Sequence, residues 1–349
     1  MDINKLVRKH LLAVKPYSSA RDEYKGEVKV ALDANENPYG DTVNRGKFNR
    51  YPDPYQHEVK AALSKIKNIA PEHIFLGNGS DEPIDLLIRA FCEPNKDSIL
   101  QLPPTYGMYQ VSADINAIEV INVNLTDTFD IDAVKVLEAI TENTKIVFFC
   151  SPNNPTGNVV NKNAIISVLQ AFDGLVVVDE AYIDYTNSPS FISELGNYDN
   201  LIVLQTLSKA WGLANLRLGI AYASLEIIAL LNKIKPPYNI NGLTQEFALK
   251  ALENEQLKND MVADVLKERE RLSAEIAKIS FIEKVYPSDA NFILVKTPNG
   301  PSIYKQLADK QIIVRDRSKV VLLDNCLRIT VGTTEENNIL LATLAQVIV

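Results

Sequence analysis

The sequence contains few residues of the kinds that build disulfide frameworks or metal sites. Of its 349 residues, only three are cysteine and three are histidine. Cys92, Cys150 and Cys326 are odd in number and lack the spacing of metal ligands, and the histidines are scattered away from them. We therefore expect reduced, buried thiols in a cytoplasmic protein, with no metal site.

Long apolar runs and an excess of basic charge are also missing. No stretch approaches the about 20 apolar residues of a membrane-spanning helix, and residues 1–26 lack the apolar segment of a signal peptide. The formal net charge is −8, from 36 basic and 44 acidic residues, which argues against nucleic acid and anionic membranes as partners. Any anionic ligand must then be held by a few well-placed cations.

The glycine motifs of nucleotide-binding proteins are absent as well. Gly77 and Gly79 form a GxG without the third glycine of a dinucleotide site, and no GxxxxGK[ST] segment occurs. These absences disfavour a nicotinamide-dependent dehydrogenase.

Between residues 57 and 240, helix-like stretches alternate with short runs rich in Val, Ile and Phe. Strands are predicted at 98–100, 117–123, 145–150, 174–182 and 200–206. This alternation is typical of an α/β fold with an open, mostly parallel sheet between helices. In such sheets ligands bind at the carboxyl ends of the strands, so the polar residues that end these runs are the candidate site.

The pattern changes after the proline-rich "KPPYNIN" at 235–241. A charged, helix-favouring stretch at 244–280 is followed by the strand-like pieces "NFILV", "QIIVR" and "CLRITVG", then by a last helix after Thr334. We predict an N-terminal arm at 1–30, a large domain at 31–240 and a smaller α+β domain at 241–349.

Polar residues follow two of the predicted strands. Asn154, in "SPNNPTG", belongs either to a rigid turn or to a site where its amide donates to a ligand oxygen. Asp179, after "GLVVV", is either a helix N-cap or a poorly solvated carboxylate that needs a facing cation, such as a protonated pyridine nitrogen. One helical turn would place Tyr182 on the same side as Asp179.

Lys209 follows the apolar run "LIVLQT" and has Leu, Ser, Ala and Trp around it. It is either an exposed turn residue or a partly buried amine, whose lowered pKa would let it form an imine with an aldehyde. Ser208 and Arg217 on either side are suited to one phosphate group. In "GNGSDEP", Gly79 permits close backbone approach, and Ser80 is either a simple N-cap or an anion contact.

Together these residues supply the groups that hold pyridoxal phosphate. They include an amine for the aldehyde, a carboxylate for the ring nitrogen, donors for the ring oxygen and a cup for the phosphate. Neither a metal ion nor a nucleotide requires this combination.

The chain resembles the fold-type I pyridoxal-phosphate aminotransferases, most closely the histidinol-phosphate aminotransferase family. The likeness runs nearly end to end, through "LDANENP", "RYPDP", "GNGSDE", "PPTYGMY", "SPNNPTG", "VDEAYID", "TLSKAWGLANLRLG" and "LRITVGT". It implies that Lys209 bonds the cofactor, that Asp179 pairs with the ring nitrogen, and that Asn154 and Tyr182 bond the ring hydroxyl. It also implies a stacking role for Tyr106 and a phosphate cup formed by Gly79, Ser80, Asp81, Ser208 and Arg217. Asn215 stands where the family often has glycine, but this departure removes no catalytic group.

The resemblance further implies a homodimer and a pair of small-molecule substrates. Tyr51 would reach the neighbouring subunit's phosphate, or else is a packing residue in a turn. Tyr17 and Asn35 would face the substrate. Arg328 and Arg315 would bind its anionic end, unless both form surface ion pairs.

The implied reaction converts L-histidinol phosphate and 2-oxoglutarate to imidazole-acetol phosphate and L-glutamate, and histidine biosynthesis uses the reverse direction. A decarboxylase of the threonine-phosphate type and an aromatic aminotransferase are the alternatives with the same cofactor. A non-catalytic binding module on this scaffold is a third, which the intact Lys209 disfavours.

Overall fold

Short runs of branched and aromatic residues build a seven-stranded sheet. The computed structural model describes residues 3–17, 24, 26, 28–43, 45–46 and 48–348, so part of the predicted arm lies outside it. The strands are β1 (Ile74–Asn78), β2 (Ser98–Gln101), β3 (Glu119–Asn122), β4 (Thr144–Cys150), β5 (Leu175–Asp179), β6 (Leu201–Thr206) and β7 (Leu218–Tyr222). Their order is β1-β7-β6-β5-β4-β2-β3. Strands β2 to β6 run parallel, whereas β7 is antiparallel to both of its neighbours.

Helices cover both faces of this sheet. Because side chains alternate along a strand, Val147 and Phe149 of β4 join one buried cluster, and Ile146 and Phe148 join the other. The helices of the described chain are α1 (Lys9–Ala13), α2 (His57–Lys67), α3 (Asp81–Phe91), α4 (Met108–Ile115), α5 (Ala133–Ala139), α6 (Lys162–Ala171), α7 (Leu225–Ile234), α8 (Gly242–Leu252), α9 (Glu255–Ile276), α10 (Gly300–Asp309) and α11 (Thr334–Leu344). Shorter 3-10 turns lie at Ile3–Lys5, Pro71–His73, Ile183–Tyr185, Phe191–Glu194 and Ala214–Leu216. Among the described helices, none has both the length and the apolar character needed to cross a membrane.

A second, smaller sheet follows the long helix α9. Its strands are β8 (Lys284–Val285), β9 (Phe292–Lys296), β10 (Arg315–Asp316) and β11 (Cys326–Thr330), in the antiparallel order β10-β11-β9-β8. Its core includes Leu272 of α9, Leu307 of α10 and Leu340 of α11. The predicted fold class, a mostly parallel sheet between helices plus a smaller α+β unit, is confirmed. The boundaries at 30 and 240 stay a prediction.

Several predicted elements differ from the structure. Strands β1 and β7 are not among the predicted runs, since each is only five residues long and carries a glycine. Residues 311–314 of the predicted strand "QIIVR" are not extended in the sheet, because Gln311 turns the chain with φ 63° before β10 begins. The predicted helix at 244–280 is two helices, because the chain turns between Leu252 and Glu255.

Candidate active site

The carboxyl ends of β4, β5 and β6 open into a cavity of about 510 Å³. Pairing sets Cys150 at the end of β4 beside Asp179 at the end of β5, and Asp179 beside Leu204 of β6. The predicted residues that line this cavity are Gly79, Ser80, Asp81, Tyr106, Asn154, Asp179, Tyr182, Ser208, Lys209, Arg217, Arg315 and Arg328. The large and the small sheet therefore together supply residues that are up to 249 positions apart, from Gly79 to Arg328.

Asp179 is buried, and only 2% of the residue is exposed to solvent. Its Oδ2 accepts a hydrogen bond from the Tyr109 hydroxyl at 2.8 Å, and its Oδ1 accepts one from the Ala181 backbone N–H at 3.1 Å. Burial raises the pKa of Asp179 to about 6, although both hydrogen bonds act in the opposite direction. The carboxylate would therefore be stabilised by a cation placed in the cavity.

Lys209 lies in the turn that follows β6 and is partly buried. Its Nζ is 5.5 Å from the centre of the Tyr182 ring. Burial lowers the pKa of Lys209, and the positive charge of Arg328 lowers it further, while Asp179 opposes them. More of the amine is uncharged near neutral pH than in an exposed lysine, and the uncharged form is the nucleophile.

One end of the cavity is a cup for an anion. Gly79 and Arg217 both have positive φ, of 70° and 54°, and the Gly79 N–H donates to the Arg217 carbonyl at 2.8 Å. The Ser208 Oγ is buried without a hydrogen-bond partner among the described residues. Ser80 precedes α3, but its side chain makes no capping bond, so the simple N-cap interpretation is not supported. A helix N-terminus, a free hydroxyl and a guanidinium thus face one space.

Asn154 and Tyr106 also line the cavity. The Arg328 Nη1 donates to Oδ1 of Asn154, which leaves the amide N–H₂ group of Asn154 as the donor for a ligand. The Tyr106 hydroxyl donates to Asp81 at 3.0 Å, and burial raises the pKa of Tyr106 above its ordinary value. Each side chain is therefore held in place by a second residue of the cavity.

Three arginines from the small sheet and the turn after β10 also line the cavity. Arg315 of β10 pairs directly with Arg328 of β11, and Arg317 lies two residues beyond Arg315. Burial and the charges of the other two arginines lower the pKa of Arg317 to about 10, and its Nε is buried without a hydrogen bond in the described structure. Sequence reasoning missed Arg317, although the spacing in "VRDR" is that of two side chains on one side of a strand. The cluster is suited to an anion of high charge.

The remaining predicted residues lie elsewhere in the chain. Asn35 and Tyr51 line a second cavity of about 1100 Å³, whose lining includes residues 34–36, 48–53 and part of α8. The Tyr51 ring stacks on Tyr238 with centroids 4.5 Å apart, and Tyr17 is 66% exposed. The second cavity is larger, but Lys209, Asp179 and the arginines line the smaller one, so the chemistry belongs there. The substrate and cofactor roles of Tyr17, Asn35 and Tyr51 stay predictions.

Comparison with known proteins agrees with this geometry. Residues 18–344 match the family model described as "Aminotransferase class I and II". The chain belongs to the class I and II aminotransferase family. This aminotransferase is 56% identical over 342 residues to the histidinol-phosphate aminotransferase of Cytophaga hutchinsonii. The aligned region covers 98% of each chain.

Solved structures show the same fold. The histidinol-phosphate aminotransferase of Clostridium acetobutylicum has a TM-score of 0.79 at 27% identity, over 86% of this chain and 90% of that one. The enzyme of the same name from Sinorhizobium meliloti, solved in complex with pyridoxal-5'-phosphate, has a TM-score of 0.80 at 23% identity, over 90% and 89% of the two chains. The family model and the 56% identical relative confirm the predicted family.

Proposed function

We propose that this aminotransferase uses pyridoxal phosphate to transfer an amino group between L-histidinol phosphate and 2-oxoglutarate, with biosynthesis using the reverse direction. The observation that carries the proposal is the cavity itself. It places a partly buried lysine between a buried carboxylate, an anion cup and a cluster of three arginines. The names and identities of the relatives support the choice of substrate.

The residues of the cavity fit the cofactor. A phosphate requires several donors, and the buried Oγ of Ser208 is one without a partner in the described chain. A Cβ added to Gly79 would lie 2.6 Å from Nη2 of Arg217, so a larger side chain here would push the guanidinium from its place in the cup. Asp179 is a buried acid facing a space that a protonated ring nitrogen would fill. Asn154 and Tyr182 would hold the ring hydroxyl.

Bound pyridoxal phosphate supplies a cationic, electron-withdrawing ring that acidifies the C–H bond next to the substrate nitrogen. Asp179 keeps the ring nitrogen protonated, because a neutral ring would leave this carboxylate buried without a counter-charge. Lys209 would hold the cofactor until the substrate amine replaces it, and the released, uncharged amine would then take the proton from the substrate carbon. Its partial burial and the positive charge of Arg328 lower the pKa of that amine, which favours the uncharged form that acts as a base.

The arginine cluster binds the anionic end of each substrate. Histidinol phosphate ends in a phosphate, whereas glutamate ends in carboxylates, and a guanidinium fork accepts either group. Arg328 is held by its bond to Asn154, close to the reacting atoms, and serves as the shared anchor. Arg315 and Arg317 add the charge that a phosphate dianion requires.

We also propose that two copies of the chain assemble in the cytoplasm as a homodimer. Tyr51 is half exposed and does not line the cavity that contains Lys209 in its own chain, which is the arrangement expected of a residue that serves a neighbour's phosphate. Tyr17 and Asn35 would reach the substrate in the same way. Sedimentation of the wild-type chain measures this assembly directly, and a monomer at all concentrations would contradict it.

The decisive experiment labels the lysine and follows the products. Borohydride reduction of the cofactor-loaded chain should fix the cofactor on Lys209, as read by peptide mapping. Lys258 is the matched control, because it is also buried but is paired with Asp184 at 3.3 Å and lies outside the cavity. Label on Lys258, or none on Lys209, would contradict the proposed role.

Product analysis then distinguishes the alternatives. Histidinol phosphate should yield glutamate only when 2-oxoglutarate is present, whereas a decarboxylase would release carbon dioxide from threonine phosphate without an acceptor. Faster turnover of phenylalanine than of histidinol phosphate would favour the aromatic aminotransferase. In Arg317→Gln, we expect KM for histidinol phosphate to rise about tenfold or more and KM for glutamate to rise less, because a dianion gains more from the third cation.

A further inference from the structure

Tyr109 lies beneath the cavity, fully buried on the first turn of α4. Its ring stacks on Phe148 of β4, with centroids 4.7 Å apart and an interplanar angle of 16°. It also makes an edge-to-face contact with Tyr106, with ring centroids 5.6 Å apart and an interplanar angle of 84°. Because both contacts fix the ring, the hydroxyl has a defined position, 2.8 Å from Oδ2 of Asp179.

The Asp179 carboxylate lies among several polar groups from different elements. Its Oδ1 accepts from the N–H of Ala181, so Tyr109 supplies the bond to the second oxygen. The titratable groups that face it are Asp81 from α3, Tyr106 just before α4, Tyr109 from α4, Cys150 from β4, Tyr182 after β5 and Lys209 from the turn after β6. Lys209 favours the ionised form of Asp179, whereas burial and Asp81 oppose it.

We propose that Tyr109 is a positioning residue, whose hydroxyl fixes the orientation of the Asp179 carboxylate and keeps it ionised for a protonated pyridine nitrogen. This inference rests on the proposed function. With a donor on each oxygen, the carboxylate cannot rotate without losing a hydrogen bond, so its remaining lone pairs keep one direction. Removing the hydroxyl would free the carboxylate and favour its neutral form, which cannot stabilise the ring cation.

Tyr109→Phe tests the proposal, since it removes the hydroxyl and keeps the ring that packs on Phe148. Tyr222→Phe is the matched control. Tyr222 is also fully buried, on β7, but its hydroxyl has no hydrogen-bond partner among the described residues, and it lies outside the cavity lining. Incorporating 3-fluorotyrosine at position 109 strengthens the donor with almost no change in size. Far-UV circular dichroism and thermal unfolding check that each variant folds.

The first measurement follows the Asp179 carboxyl in the full chain without added cofactor, by isotope-edited infrared titration assigned with Asp179→Asn. We expect Tyr109→Phe to raise the pKa of Asp179 by about one pH unit or more, and fluorotyrosine to lower it. Tyr222→Phe should leave it unchanged. A packing defect alone would not raise the pKa of Asp179 in Tyr109→Phe and lower it in the 3-fluorotyrosine variant.

The second measurement is the affinity for pyridoxal phosphate, which we expect to fall about tenfold in Tyr109→Phe. This loss of affinity should be larger at acidic pH, where more of Asp179 is neutral in the variant. The proposal is overturned if the Asp179 pKa and the cofactor affinity of Tyr109→Phe match those of Tyr222→Phe. If instead the wild-type chain does not bind pyridoxal phosphate at Lys209, the proposed function fails, whatever the titration of Asp179 shows. The two failures are therefore distinguishable.

Discussion

Replacing Asp179 by Asn should make the cofactor-free chain more stable, although it removes a residue that we assign to the cofactor. The folded pKa of Asp179 is about 6, against an ordinary value of 3.8. At about 1.36 kcal/mol for each pH unit, this difference corresponds to about 3 kcal/mol. Asn has almost the same shape and carries no charge, so it avoids that cost.

Whether Asp179 stabilises or destabilises the folded chain at a given pH depends on which state, folded or unfolded, binds its proton more tightly. Because the folded pKa is the higher one, the folded chain binds the proton better between about pH 4 and pH 6. Below this window both states are protonated, and Asp179 costs nothing. Above it both states are ionised, and burying the charge costs the full amount. The stability advantage of Asp179→Asn should therefore be small near pH 4 and grow to about 3 kcal/mol above pH 7.

Urea unfolding of the two cofactor-free chains at several pH values measures this difference in stability, provided that both have the same m-value, the slope of the free energy of unfolding against urea concentration. Asp127→Asn is the control, since it removes one negative charge at an exposed position. A stability difference that does not vary with pH, or a variant that is less stable at every pH, would refute the reasoning that Asp179 is a costly buried charge. With cofactor bound, the wild-type chain should be more stable than Asp179→Asn, because the cofactor supplies the cation that Asp179 lacks.

Two predictions concern the anion cup. Ser208→Ala should leave the free energy of unfolding of the cofactor-free chain, measured in urea, unchanged or raise it by up to about 1 kcal/mol, because it removes a buried hydroxyl that has no hydrogen-bond partner among the described residues. The same change should weaken cofactor binding about tenfold in a fluorescence titration. Gly79→Ala should weaken binding more than Gly212→Ala does. Both glycines have similar φ, of 70° and 67°, but the new Cβ meets Arg217 only at position 79, and space is open at 212. Equal effects of the two glycine variants, or undiminished binding in Ser208→Ala, would contradict the assigned cup.

The sequence by itself determined the class of fold and the positions of Asn154, Asp179 and Lys209. Each follows a short apolar run, and parallel strands bring such positions to one edge of a sheet. Gly79 and Ser80 could also be predicted as an anion contact from the local sequence, because they directly precede α3. These features need only neighbouring residues and the direction of the strands.

The tertiary structure decided the contacts between distant segments. Tyr109 is the hydrogen-bond donor to Asp179 because α4 packs against β4, which no local pattern records. Arg317 joins the cavity because the small sheet sets β10 beside β11. Tyr51 lines a different cavity, which residues 34–36 and 48–53 form together with α8. A side chain's environment depends on which elements pack together, and packing depends on burial summed over the whole chain.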